Sequence, residues 1–435
     1  MLNVIRTQYR YGFNMNYYII FTGDIHPVGG MQLYTAGKAK FLTSRGFEVV
    51  VYSPIESTDG CAFRYLNRFT RYCHGEFRYP PHMLSQTRVR RVLASIENDL
   101  SDFGYSKCSS DKVYVESQDD VSAFWGEMTA ECLNGRHINF NVNELFRGKG
   151  TYYEQYMDFF IFKYRRREIV GNLTALFDGY LIPEYTCNIG APEPEAVQDV
   201  YDERLANINR LDYNILYIGR AEKGYVPNII IGVAKFAKEF PDKKIRFMMV
   251  GDATSQMHLL KRELSLNNVI LSLFGDMVPI PKKIYSLCDV VIAGSGCARA
   301  SVFYGVPVIV ADCKDYMADG ILGYTTDNSL HTEKNKQMPF ADAINDALIE
   351  KKYKQMPFVY TEKGAENTDE IYEELLNTFD KSSKTQEYYD FKDHKRDEST
   401  YKRFKAYIWL NFPWMRKIYK KIKELCNGVI LRTKK

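Results

Sequence analysis

Two cationic side chains stand directly after an apolar, strand-like segment in the second half of the chain. Arg220 and Lys223 follow the residues ILYIG. Ligands of α/β folds bind beyond the carboxyl ends of the strands, so this is where an anionic group would meet the two cations. The alternative interpretation is an Arg and a Lys that are solvated on a surface loop.

A Gly-Ser-Gly turn follows a second strand-like segment, DVVIA. Gly294 and Gly296 flank Ser295, so the backbone can turn tightly there and approach a ligand closely. The helix expected after them offers free N–H groups at its start, and Arg299 adds a further cation. An ordinary βα turn with a small-residue helix packed on the sheet remains the alternative.

Gly29 and Gly30 lie between a predicted strand over residues 16–22 and a predicted amphipathic helix. A strand, a glycine turn and a helix start together form a pocket of backbone N–H groups, where a phosphate or a sugar can sit close to the chain. The alternative is a tight turn without a ligand.

Three residues in the first half are candidate proton acceptors. Asp24 and His26 precede the glycine turn, and Glu144 follows the strand predicted over residues 137–143. A carboxylate at Glu144 could deprotonate an acceptor hydroxyl or bind the sugar, or else cap the following segment. A His beside a Pro more often has a structural role, which is the alternative for His26.

Strand and helix patterns alternate along most of the chain, which predicts the α/β class. In the first half the strands fall at residues 16–22, 47–53, 112–117 and 137–143, while residues 61–110 give no clear pattern. Residues 187–199 hold Gly, two Pro and acidic side chains and read as a connector. Residues 214–312 then predict five strands that alternate with four helices, a Rossmann-like pattern.

These segments together resemble the GT-B glycosyltransferases, and within them family 4, the bacterial surface-polysaccharide type. The resemblance rests on GGMQLYTAGKAKFLTSRGFEVVVYS, ILYIGRAEKG, FMMVGDA, VILSLFGD and GVPVIVAD. It implies two Rossmann-like domains that face a cleft, and the sequence beyond them adds a basic amphipathic tail. The expected boundaries are an extension over residues 1–14, an acceptor domain over 15–200, a donor domain over 206–380 and a tail over 381–435.

The resemblance also implies an activity. Such an enzyme moves a sugar from a nucleotide diphosphate sugar to a saccharide or lipid-linked acceptor in surface polysaccharide synthesis. Arg220 and Lys223 would clamp the diphosphate, with Gly251, Asp276, Gly294, Ser295, Gly296 and Arg299 completing the donor site and the Gly29–Gly30 turn closing over the sugar. The sequence has no metal motif, so we expect a metal-independent enzyme that uses no cofactor beyond its donor substrate.

One departure from the family leaves alternatives open. Many family 4 members carry two glutamates ahead of the Gly-x-Pro strand, and counting back from Gly305 puts Ile292 and Ala300 in those places. The Gly-Ser-Gly turn is more like that of inverting GT-B enzymes, so the stereochemistry is open. A non-catalytic GT-B subunit that binds a partner enzyme or a glycan is the main alternative, and a nucleotide-sugar epimerase is a weaker one.

Composition favours a protein of the reducing cytoplasm. The nine cysteines include no C-x-x-C pair, and no apolar run approaches the roughly 20 residues of a spanning helix. No secretory signal pattern precedes the first strand, and either Met1 or Met15 could be the start.

The basic tail accounts for the chain's net charge of +4: from Lys395 onward there are 13 Lys and Arg against 3 Asp and Glu. Within residues 401–431, Met415, Ile418, Tyr419, Ile422 and Leu425 recur at helical spacing among basic residues. This pattern predicts a helix that lies on an anionic membrane, which would place the protein peripherally at the inner face. Packing on the protein's own body is the alternative, and nothing else in the sequence supports a nucleic-acid partner.

Overall fold

The computed structural model describes residues 15–23, 25, 29–54, 69–107, 111–141, 169–171, 185–186, 197–330, 337–360, 369–370, 372–373, 376–377, 399–416 and 418–419. The extension predicted over residues 1–14 lies outside this range, as do residues 420–435 of the predicted tail. The described chain contains two large β-sheets and one short two-stranded sheet.

The first large sheet is parallel throughout. Its strands are β1 (Asn16–Phe21), β2 (Phe47–Ser53), β3 (Thr70–Cys73), β4 (Lys112–Ser117), β5 (Arg136–Asn141), β6 (Ile169–Gly171) and β7 (Tyr185–Thr186). They lie in the order β3-β2-β1-β4-β5-β6-β7, so β1 runs through the middle beside β2 and β4. The four strands predicted from the sequence are β1, β2, β4 and β5.

Helices cover both faces of this sheet. In the described part of the chain they include α1 (Gly30–Ser44), α2 (Gln86–Ser101) and α3 (Asp120–Cys132). Tyr17, Ile19 and Phe21 of β1 share a core with side chains of α2 and α3, whereas Tyr18 and Ile20 share a core with α1. Because β1 is buried on both faces, its sequence is a continuous apolar run and not an alternating one.

The unassigned stretch of the sequence contains β3, α2 and two short 3-10 turns, Gly75–Arg78 and Pro81–Met83. The start of α2 is fixed by Ser85, whose hydroxyl accepts a hydrogen bond from the Arg88 backbone N–H at 3.3 Å. The four residues of β3 form a strand through pairing with β2, a contact between segments that no local pattern predicts.

The second large sheet contains the Rossmann-like pattern predicted over residues 214–312. The strands of the second half are β8 (Val197–Gln198), β9 (Tyr213–Ile218), β10 (Ile245–Val250), β11 (Val269–Leu273), β12 (Ile280–Pro281), β13 (Val290–Ala293), β14 (Val308–Ala311) and β15 (Ala318–Ile321). The order in the sheet is β11-β10-β9-β13-β14-β15, while β8 and β12 pair separately. The five predicted strands are confirmed, and the sixth, β15, runs antiparallel to β14.

The described residues of this half form α4 (Val226–Glu239), α5 (Met257–Glu263), α6 (Lys283–Ser286), α7 (Gly296–Ser301) and α8 (Phe340–Asn345). The helix predicted over residues 280–288 is only the short α6, because its first two residues pair with β8 instead. The helix after the Gly-Ser-Gly turn is α7 with a 3-10 turn, and it stops at Gly305, whose φ of +71° suits glycine.

The chain returns to the first sheet near its end. The Tyr372 hydroxyl donates to the Tyr34 carbonyl at 3.3 Å, and helix α9 (Thr400–Asn411) buries Ala406 in the core that β1 shares with α2 and α3. Part of the predicted tail thus packs on the protein's own body. Across the residues described, no helix combines the length and apolar character needed to cross a membrane. The boundaries proposed at residues 200 and 380 stay predictions.

Candidate functional site

Three glycine loops meet at the carboxyl edge of the second sheet. The Gly251 N–H donates to the Gly275 carbonyl at 2.8 Å, and a Cβ built on Gly251 would lie 2.1 Å from the Gly219 carbonyl oxygen. Gly251 also has a φ of +124°, which side-chain-bearing residues rarely adopt. This close approach brings together the loops that carry Arg220 and Asp276.

The two predicted clamp residues lie at this edge and are accessible to solvent. The Arg220 guanidinium is 45% exposed and lies 3.7 Å from the Glu222 carboxylate, while Lys223 is partly buried and forms no ion pair with the residues described. A hydrogen bond fixes the backbone of their loop, because the Tyr217 hydroxyl donates to the Arg220 carbonyl at 3.0 Å. Burial raises the pKa of Tyr217 well above its usual value, which keeps this donor protonated.

The Gly-Ser-Gly turn is tightly packed and strained. A Cβ on Gly294 would lie 2.9 Å from the Ala311 carbonyl oxygen and 3.2 Å from the Tyr225 hydroxyl. Ser295 has φ +55° and ψ −135°, a conformation that costs a residue with a side chain of the order of 1–3 kcal/mol. Strained backbone of this kind clusters at ligand sites. Tyr225 directly precedes α4 and lies two residues after Lys223, so this turn and the Arg220–Lys223 loop are neighbours.

Arg299 is placed differently from the other cations. Its side chain is buried, and its Nη1 donates to the Ser329 hydroxyl at 3.4 Å. The Ser295 N–H donates to the carbonyl of the same serine at 2.6 Å. Arg299 therefore supports the turn, and its predicted contact with an anion stays a prediction.

The start of α1 approaches the second half of the molecule. Leu33, in the first turn of α1, packs against the apolar core of the second sheet that contains Ala293 and Ala298. Gly29 is extended, and a Cβ on Gly30 would meet nothing within 4 Å. Neither glycine has a positive φ, so neither is required by a left-handed turn. The N–H groups at the start of α1 have no side-chain cap, which leaves room for a ligand to approach.

Sequence reasoning missed an acidic pair at the carboxyl end of β4. The Asp119 carboxylate caps α3 by accepting from the Ser122 N–H at 2.7 Å, and it lies 3.4 Å from a Cβ built on Gly23, beyond the end of β1. Burial raises the pKa of Asp119, and burial together with the Asp119 charge raises the pKa of Asp120 to about 6. The sequence did contain a signal for this pair, since two acidic residues follow a predicted strand at the start of a predicted helix.

A buried polar network connects α1 to β4. Lys38 forms an ion pair with Glu116, and the same carboxylate accepts from the Tyr18 hydroxyl at 2.6 Å and from the Tyr34 hydroxyl at 3.2 Å. Gln118 donates to Glu116 at 3.0 Å. Since Gln118 directly precedes Asp119, this network fixes the acidic pair relative to α1.

The three proton acceptors predicted from the sequence, Asp24, His26 and Glu144, lie outside the described residues. The positions of the family's glutamate pair are described: Ile292 and Ala300 are both buried in the apolar core. Within the described ranges, no group of His, Cys, Asp and Glu has an arrangement that could hold a metal ion.

No protein-family model matches the chain, and no curated protein matches its sequence. Solved structures do match. HepE of Anabaena in complex with UDP-glucose has a TM-score of 0.57 at 14% identity over 84% of this chain and 100% of its own. MnaA of S. aureus in complex with UDP has a TM-score of 0.54 at 13% identity over 86% of this chain and 100% of its own. A glycosyltransferase from Rickettsia africae has a TM-score of 0.52 at 13% identity over 92% of this chain and 100% of its own.

At such identities the likeness establishes the fold. The chain has the α/β GT-B architecture, with two Rossmann-like sheets, as the sequence predicted. Membership of family 4 within that architecture stays an interpretation.

Proposed function

We propose that this chain is a glycosyltransferase that moves a sugar from a nucleotide diphosphate sugar to a saccharide or lipid-linked acceptor in surface polysaccharide synthesis. The observation that carries the proposal is the strained Gly294–Ser295–Gly296 turn beside the Arg220–Lys223 loop at the carboxyl edge of the second sheet. The similar solved proteins include two in complex with UDP or UDP-glucose and one glycosyltransferase.

The donor half of the reaction needs its leaving diphosphate stabilised. Negative charge grows on the diphosphate as its bond to the sugar breaks, and cations with backbone N–H groups can offset that charge without a metal. Arg220 and Lys223 supply the cations, and the first N–H groups of α7, directly after Ser295, have no side-chain cap and can face the diphosphate. The sugar then faces the uncapped start of α1, which approaches the second sheet through Leu33.

The acceptor half needs a base if the reaction inverts the anomeric carbon. The base takes the proton from an acceptor hydroxyl, the oxygen bonds to the anomeric carbon, and the diphosphate leaves with the electron pair of the broken bond. Asp120, with its pKa raised to about 6, is the described carboxyl best suited to accept a proton near neutral pH. Asp24, His26 and Glu144 remain candidates from the sequence.

A nucleotide-sugar epimerase is the second candidate. Inversion at a sugar carbon needs one group to remove a proton from one face and another to return it to the opposite face, and Asp119 and Asp120, whose pKa values are raised, are two carboxyls that could exchange protons. A putative UDP-N-acetylglucosamine 2-epimerase from Listeria monocytogenes is also similar, with a TM-score of 0.52 at 14% identity over 86% of this chain and 99% of its own. A non-catalytic subunit is favoured by Ile292 and Ala300, which replace the family's glutamates.

The first experiment is a thermal-shift screen of the purified chain against nucleotide diphosphate sugars. A ligand at about a hundred times its Kd that binds only the folded state stabilises it by about 2.7 kcal/mol. We expect one donor to stabilise the native chain and not the Arg220→Ala/Lys223→Ala variant. The matched control, Lys238→Ala/Lys243→Ala, removes two exposed lysines elsewhere on the same half and should respond as the native chain does.

Product analysis with the stabilising donor separates the candidates. Release of the nucleoside diphosphate with a glycosylated acceptor supports the transferase. An isomeric sugar nucleotide of unchanged mass supports the epimerase instead. No shift across the panel from a cooperatively folding sample would contradict both enzymes and favour the non-catalytic subunit.

A further inference from the structure

Helix α9 presents aromatic side chains away from the protein. Ala406 is buried, and Trp409 and Leu410 pack against the core of the first sheet. On the outer side Tyr401, Phe404 and Tyr407 are 71%, 62% and 56% exposed. Their spacing of three residues makes one stripe along the helix, so these rings form a continuous outer surface.

The exposed apolar surface continues beyond the end of α9. Phe412, Trp414, Met415, Ile418 and Tyr419 are all exposed. Single exposed apolar residues are ordinary, but eight within residues 401–419 are a concentrated patch of the kind that marks an interaction site. We call these eight residues the aromatic face: Tyr401, Phe404, Tyr407, Phe412, Trp414, Met415, Ile418 and Tyr419.

The segment that carries the aromatic face has charges of one sign. Residues 399–419 contain five Lys and Arg and no Asp or Glu. Lys405 lies over the Trp409 ring, with its Nζ 4.4 Å from the ring centroid, and the Arg416 guanidinium lies 5.7 Å from the same centroid. Lys405 Nζ also lies 5.5 Å from the centroid of the Tyr419 ring, a member of the aromatic face. The positively charged segment therefore attracts an anionic surface.

We propose that the aromatic face binds the surface of an anionic lipid bilayer, with its rings at the level of the head groups. Tyr and Trp favour that level because one end of each ring system is apolar and the other polar. The neighbouring Lys and Arg add attraction to anionic lipid. A second copy of the chain is disfavoured as the occupant, because two such faces would bring like charges together.

This inference is independent of the proposed glycosyl transfer. The sequence predicts a membrane contact over residues 401–431, and the proposal assigns that contact to the eight exposed residues of the aromatic face. Because α9 packs on the first sheet, a bilayer held by the aromatic face lies against the half of the molecule that the sequence assigns to the acceptor. A lipid-linked acceptor would then meet the protein at the same surface.

Co-sedimentation of the full chain with vesicles tests the proposal. We expect binding to equimolar phosphatidylglycerol and phosphatidylcholine, weakening as salt rises, and little binding to phosphatidylcholine alone. Phe404→Ser/Tyr407→Ser should lower the partition coefficient at least tenfold. The control Ile231→Ser/Ile270→Ser removes two exposed apolar side chains from the second half of the chain and should bind as the native chain does.

Tryptophan fluorescence gives a second readout. Trp125 is fully buried and Trp409 is partly buried, whereas Trp414 is 58% exposed. Anionic vesicles should shift the emission of the native chain to the blue, and Trp414→Phe should remove most of that shift. The proposal is overturned if the native chain does not bind anionic vesicles or if the Phe404→Ser/Tyr407→Ser variant binds them equally. Self-association without lipid that this variant abolishes would also overturn it, in favour of a second copy.

Discussion

Lys38 of α1 and Glu116 of β4 form an ion pair in which both side chains have 0% exposure. The Tyr18 and Tyr34 hydroxyls also donate to the same carboxylate, so burial of its charge is compensated by several donors. Burial and the nearby Glu116 charge raise the pKa of Tyr18 well above its usual value, which keeps that hydroxyl protonated. The pair therefore joins the helix that approaches the second sheet to the strand that ends at the acidic pair.

Lys38→Met should be strongly destabilising. Removing one partner of a buried ion pair leaves the other charge uncompensated, which typically costs about 3–5 kcal/mol. Urea unfolding monitored by circular dichroism measures the loss. The matched control is Lys107→Met, which breaks the Lys107–Glu97 pair at 3.0 Å, where the side chains are 45% and 32% exposed. Such a pair contributes about 1 kcal/mol or less.

The double variant Lys38→Met/Glu116→Gln checks the cause of that loss. Glutamine carries no charge and keeps one acceptor for the tyrosines, so the double variant should be more stable than Lys38→Met alone. A Lys38→Met variant that loses no more stability than Lys107→Met would contradict the burial of this ion pair.

Asp120→Asn should change the pH dependence of stability. The pKa of this carboxyl is raised from 3.8 to about 6 in the folded chain. A raised pKa means that the folded state holds the proton more tightly, so this stabilisation is complete below about pH 4 and is lost as pH rises through about 6. The full effect is at most about 3 kcal/mol.

Asparagine at this position cannot ionise, so the variant should gain stability over the native chain between about pH 4.5 and about pH 7.5. Midpoints of urea unfolding at the two pH values measure the gain. Asp242→Asn, which removes the same charge at an exposed aspartate, is the matched control. A gain for Asp120→Asn no larger than that of this control would mean that the pKa of Asp120 is not raised.

The strands buried on both faces were predictable because their signal is local. The NYYIIF run of β1 and the IRFMMV run of β10 are apolar throughout, so a single segment identifies each of them. By contrast β15 reads ADGI and includes a buried aspartate. It is a strand because β14 supplies its pairing partner, which no local pattern encodes.

The loops of the second half that form the candidate site were predictable from the sequence, whereas the buried ion pair of the first half was not. Arg220, Gly251 and the turn at Ser295 follow strands, and the rule that ligands bind at carboxyl ends located them. The contact between Lys38 and Glu116 joins residues 78 positions apart in the chain, and their burial depends on the packing of α1. Lysine and glutamate are ordinarily exposed, so sequence alone gives no reason to pair them.

Alanine at the site glycines should destabilise in a definite order. Gly251→Ala should cost most, since its Cβ would lie 2.1 Å from a backbone oxygen at a φ of +124°. Gly294→Ala should cost about 1–3 kcal/mol, because its Cβ would lie 2.9 Å from the Ala311 carbonyl oxygen. Gly75→Ala is the control, with its nearest atom at 3.6 Å, an ordinary contact. Thermal unfolding gives the order, and a Gly251→Ala variant as stable as Gly75→Ala would contradict the close approach of the loops.

Gly30→Ala should separate stability from ligand binding. A Cβ there meets nothing within 4 Å, and alanine favours the first turn of α1 by up to about 1 kcal/mol relative to glycine. Gly46→Ala, just past the end of the same helix, should instead be destabilising, because its φ is +83°. If a sugar or phosphate approaches the start of α1, Gly30→Ala should raise the free energy of unfolding and weaken binding of the stabilising donor about tenfold, or 1.4 kcal/mol. Unchanged affinity together with the gain in stability would leave Gly30 as an ordinary helix start.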